Sequence, residues 1–143
     1  MAAQHSHDDG KINWMLGSAV ILFALPLHLF LPLEMSVQLA ALLLSSIAGV
    51  YFGFAIVSGD QNKMMIELTG AGLYGLVALA GLVWWQWLIP IGLAAHAIWD
   101  LAHHNRFAIH KSLAPTPQWY VPTCVYVDVV LAVAFSAIWL LKG

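Results

Sequence analysis

The chain has 143 residues, 62% of them apolar or aromatic and only 8% charged, with a formal net charge of −2. A soluble domain carries roughly 25% charged residues and could not clothe its surface with so few. The composition therefore predicts one domain that uses lipid as its solvent, and the scattered basic residues exclude a nucleic-acid footprint.

The chain opens on a polar tail, residues 1–11, with His5, His7, Asp8 and Asp9 and no cleavage signal after it. A helix crosses the roughly 30 Å hydrocarbon core in about 20 residues. Five segments reach that length, at about 12–33, 35–57, 64–83, 87–104 and 119–141, which predicts an all-α bundle of five transmembrane helices. Pro32 with Glu34 separates the first two, and the run from Ser58 to Asn62 separates the next pair. The third and fourth have no charge between them; continuing as one helix they would need twice a bilayer, so a turn is required near Trp85 and Gln86. The last break is the loop 105–118, with Pro115 and Pro117. Pro26 and Pro90 are expected to kink their helices. His28 is expected to cap the carbonyl that Pro26 frees.

With five spans, Lys11, Lys63, Arg106 and Lys111 share one side and Lys142 the other. Basic residues accumulate on the cytoplasmic side, so the expectation is a multi-pass inner-membrane protein with its N-terminus cytoplasmic and its C-terminus external. The aromatic residues agree: Trp14, Trp119 and Tyr120 fall near one interface, and Trp84, Trp85, Trp87 and Trp139 near the other. Gly49 and Gly53, four residues apart behind Ser45, form a small-residue stripe expected to face a neighbouring helix, as do Ala71 and Gly75.

The polar residues inside the spans carry the functional signal. His96, Asp100 and His103 lie on one face of the fourth span, with Gly92 extending the stripe and His104 beside it. The third span adds Glu67 and Tyr74 on one face, and the fifth adds Asp128, with Cys124 one turn earlier. At 1.5 Å per residue, Glu67 and Asp100 sit about 5–6 Å from the basic end, and His96 and Asp128 about 12–14 Å. A lone charge at a helix centre costs roughly 2.5–3.5 kcal/mol, so three separate carboxylates would be a heavy burden. A shared site of Glu67, His96, Asp100 and Asp128 is expected, with His103 and His104 as further metal ligands. His103, His104 and Glu67 also suit a simpler role as interfacial end groups. His96 and Asp100 also fit the lesser alternative of a structural pair pinning two helices, and Trp99, Tyr51 and Tyr126 suit packing.

The string His96-x-x-Trp99-Asp100-x-x-His103-His104, followed by Trp119, Tyr120, Cys124 and Asp128, resembles a family of small bacterial multi-pass membrane proteins with no established activity. Asp100-x-x-His103-His104 is also similar to a histidine box of the membrane hydroxylases and desaturases. Those enzymes hold two irons with about eight histidines; this chain has seven in all, two of them in the tail.

Three functions fit these residues. The first is a membrane-embedded enzyme acting on a lipid or isoprenoid, with catalytic Glu67, His96, Asp100 and Asp128. It would use a divalent iron or zinc ion or, without metal, carboxylates as general acid and base. The second is a non-catalytic subunit of a larger membrane complex, with a membrane-protein partner or a second copy of itself. The third is a small proton- or cation-coupled carrier. The single Cys124 excludes an internal disulfide and a cysteine-based zinc cage.

Overall fold

A computed structural model describes residues 11–104 and 106–143; the tail histidines His5 and His7 lie outside the described residues. The described chain is all-helical, with five α-helices: α1 Trp14–Phe30, α2 Leu33–Ser58, α3 Gln61–Val83, α4 Leu88–Ala102 and α5 Tyr120–Lys142. A short 3₁₀ helix, Ala108–Ser112, interrupts the loop before α5. By length and composition α2, α3 and α5 can cross a membrane, while α1 and α4 are shorter apolar helices of 17 and 15 residues.

Local chemistry sets the helix ends. The Asn13 side chain accepts from the Leu16 amide at 3.0 Å and starts α1. The Asn13 amide donates to Thr123 Oγ1 at 2.8 Å, which ties that start to α5. Pro32, extended, separates α1 from α2. Gly59, at φ 70°, takes the left-handed conformation that ends α2. Asp60 then caps α3 by accepting from the amides of Asn62 and Lys63. The turn required among the tryptophans is present, between Val83 and Leu88. Pro90 stands in the first turn of α4, where an amide has no intrahelical partner to lose; it needs no kink there, contrary to the sequence expectation.

α2 packs chiefly along α3 and α4 along α5, with α1 against α5. The core joins Ala40, Ala41 and Leu44 of α2 to Ile89 and Leu93 of α4 and Leu131 and Phe135 of α5. The polarity is that of a protein dissolved in lipid. Glu67, His96, Asp100 and Asp128 are buried, whereas Leu22, Phe23, Phe30, Val57 and Leu141 are mostly exposed.

The expected packing stripe on α2 is displaced. A side chain at Gly49 or Gly53 would meet nothing within 4 Å, and the inward ridge is Leu44, Ala48, Tyr51 and Ala55. Gly75 is likewise open. Close approach occurs at Gly17 against Tyr126, Gly70 against Trp99, Gly81 against Ile89, and Gly92 against Leu44.

At the end of α1 distant from the basic loop, His28 does not cap a freed carbonyl. Its Nδ1 lies 2.8 Å from Ser36 Oγ, which also accepts from the Trp139 indole at 2.8 Å. The ammonium of Lys142 instead donates to the carbonyls of His28 and Leu31, satisfying acceptors that the end of α1 leaves open.

Candidate functional site

The stripe on α4 turns into the bundle because Gly92 removes a side chain where the helix meets α2 and α3. A Cβ there would lie 2.7 Å from Leu44 and 3.0 Å from Val77. One turn further, His96 and Asp100 are fully buried, and α5 brings Asp128, also fully buried, against them. His96 Nδ1 lies 2.7 Å from Asp128 Oδ2 and 3.5 Å from Asp100 Oδ1, so one ring nitrogen sits between two carboxylates. The Tyr51 hydroxyl of α2 donates to Asp100 Oδ1 at 2.7 Å. The Tyr74 ring of α3 stands edge-on to His96, 4.9 Å between centroids. Four helices therefore contribute to the surroundings of one histidine–dicarboxylate cluster.

Glu67 does not join that cluster. Its Oε1 lies 2.8 Å from His103 Nε2 and accepts from the Ala114 amide at 2.9 Å, which pins the loop before α5 onto α3. The second nitrogen of His103 faces the Trp99 carbonyl at 3.0 Å. Both ring nitrogens of His103 therefore face oxygen atoms, one on α3 and one on its own helix. The single site expected from sequence is thus two clusters, because His103, one turn beyond Asp100, reaches Glu67 first.

Tyr51 bridges the two clusters. Its ring stacks on His103, 3.9 Å between centroids, while its hydroxyl serves Asp100. The sequence reading assigned Tyr51 to packing. The missed signal is its place on the inward ridge of α2, since a buried phenol needs an acceptor. Trp99 and Tyr126 do pack, the first on Gly70 and the second on Gly17 and Trp14.

His104 is not part of either cluster. It lies half-buried beyond α4, and its Nδ1 accepts from the Arg106 amide at 3.3 Å. Burial, with the charge of Arg106 and the nearby His110, lowers its imidazole below the usual histidine value.

Among the described residues, four buried polar atoms lack a hydrogen-bond partner: Glu67 Oε2, His96 Nε2, Asp100 Oδ2 and Asp128 Oδ1. Three of the four belong to the histidine–dicarboxylate cluster. Such atoms cost roughly 1–3 kcal/mol each when left unpaired, and more when charged. One donor atom from each of His96, Asp100 and Asp128 lies within 4.8 Å of the others, so the group can hold a metal ion. Zinc bonds to such donors run about 2.0–2.2 Å, so one ion could span this group with a small adjustment of the side chains.

No protein-family model, curated protein or solved structure matches the chain.

Proposed function

We propose that the chain is a membrane-embedded enzyme acting on a lipid or isoprenoid, with a divalent metal held by His96, Asp100 and Asp128 as its reaction centre. All five helices cross the bilayer in this reading. α1 and α4, about 26 and 22 Å long at 1.5 Å per residue, are completed by their flanking turns. Four of the five basic residues then face the cytoplasm with the N-terminus, in what we take to be a cell inner membrane.

The observation that carries the proposal is the set of unpartnered atoms on three fully buried, mutually adjacent ionisable side chains. Two carboxylates and a neutral imidazole carry two negative charges, which a divalent cation cancels. A proton shared between Asp100 and Asp128, whose carboxyl groups lie within hydrogen-bond reach of each other, would cancel only one of the two charges. Three protein ligands also leave coordination positions for water or substrate, the arrangement of a catalytic rather than a closed structural site. The Tyr51 hydroxyl fixes Asp100 from outside the cluster, as partners of metal-bound carboxylates do. Glu67 and His103 hold the neighbouring loop, which makes Glu67 a positioning residue in this reading rather than a catalytic one.

The test is product formation. Wild-type protein in nanodiscs of native lipid extract should convert one lipid species detectable by mass spectrometry, and His96→Ala and Asp128→Asn should each abolish that change. The double variant should be no worse than either single one, because the two residues serve one ion. Conversion that persists in both variants would end the enzyme reading.

A second reading, an accessory subunit or homo-oligomer, draws on the open ridge at Gly49 and Gly53, where another helix could approach closely. Gly53→Leu should then release a co-purifying partner without altering the metal content.

A further inference from the structure

A second feature lies at the basic end of the bundle. Lys63 from the start of α3, Arg106 from the loop, and His110 and Lys111 from the 3₁₀ helix line a cavity of about 680 Å³, with His103 and His104 in its wall. No carboxylate lines it among the described residues. The side chains of Lys63, Arg106 and Lys111 form no ion pair among those residues either. A preference for basic residues at one membrane face explains their number. It does not explain why three separate elements converge their cations on one concavity, where like charges repel unless an anion is present.

A second concavity adjoins the first. It is mainly apolar, about 960 Å³, runs between α1, α4 and α5, and is lined by Trp14, Leu101, Phe107, Tyr126 and Val129. His104 and Arg106 line both. A basic cup that shares two residues with an apolar groove matches an amphiphile with an anionic head and a hydrocarbon tail. The groups available suit phosphate: a guanidinium that can bind two of its oxygens, and two ammonium groups.

We propose that these two concavities form one binding site for a membrane lipid bearing a phosphate headgroup, with the phosphate in the basic cup and the chain along the groove. The claim that this lipid is the substrate rests on the enzyme reading; the claim that it binds does not. The headgroup would lie against His103, whose ring stacks on Tyr51, which in turn bonds Asp100. Two stacked rings, His103 and Tyr51, therefore lie between the cup and the metal-ligating cluster; in the enzyme reading a phosphorylated lipid is the substrate class.

The experiment is calorimetric titration of the full-length protein, in a maltoside detergent, with dodecyl phosphate, dodecanol and inorganic phosphate. Dodecyl phosphate should bind saturably, and Lys63→Gln and Arg106→Gln should each weaken it roughly tenfold. Lys63→Arg should retain the affinity, which separates charge from folding. Undiminished binding by the Lys63→Gln/Arg106→Gln double variant, or dodecanol binding as tightly as dodecyl phosphate, would overturn the proposal. Inorganic phosphate binding as tightly as dodecyl phosphate would overturn the lipid assignment and leave a free-phosphate site. The Lys63→Gln/Arg106→Gln double variant should lose this binding while keeping the metal content of wild type, so failure of the enzyme reading and failure of this site are read out separately.

Discussion

At Tyr51 one side chain serves both polar clusters, and two substitutions separate its contributions. Tyr51→Phe keeps the ring on His103 but removes the only hydrogen bond to Asp100 from α2. It should cost about 1–3 kcal/mol, read as a lower Tm in detergent, and should weaken metal retention. Glu67→Ala removes the partner of both His103 and the Ala114 amide. Its effect should fall on the loop, as faster proteolysis within residues 104–118, while the metal content stays as in wild type. Equal metal loss in the two variants would mean that the clusters act as one.

These residues also show what sequence could and could not reveal. Helical spacing put His96 and Asp100 on one face, and the cost of lone intramembrane charges drew Asp128 to them. The partner of His103 could not be read in the same way. Its choice of Glu67 depends on where α3 lies beside α4, and periodicity within one helix carries no information about that. Tyr51 was hidden for the same reason, since a phenol gains its role only from an acceptor on another helix.

At the scale of the element, small residues matter by position rather than by pattern. Gly92→Val would place a side chain within 3.0 Å of atoms on both α2 and α3. About 1–3 kcal/mol of overpacking is expected, enough to disturb His96 one turn away. Gly53→Val meets open space within the chain, so monomer stability in detergent should be close to wild type. Thermal unfolding of the two variants checks the contrast. The regular four-residue stripe on α2 was legible and its direction was not, because the inward ridge of α2 carries Leu44 and Tyr51 rather than the smallest residues. Pro90 illustrates the related point that a proline bends a helix only beyond its first turn, and the start of α4 was not marked by any charge.

Across the described residues, Glu67, His96, Asp100 and Asp128 are buried while many large apolar side chains stay exposed, the pattern of a protein with lipid around it. If all five helices cross, as proposed, reporter fusions at the two termini should give opposite signals; matching signals would mean an even number of spans. Composition and hydropathy foretold the helical class, since apolar runs of about 20 residues fit membrane helices and not the short alternating strands of a barrel. At the centre of the bundle stands the proposed metal, held by His96, Asp100 and Asp128. Its most direct test is elemental analysis of protein purified in detergent without added chelator. Wild type and His104→Ala should carry about one divalent ion, iron or zinc, per chain, and His96→Ala and Asp128→Asn should lose it. Metal-free wild type that is fully folded, or metal retained at the same level in His96→Ala and Asp128→Asn, would contradict it.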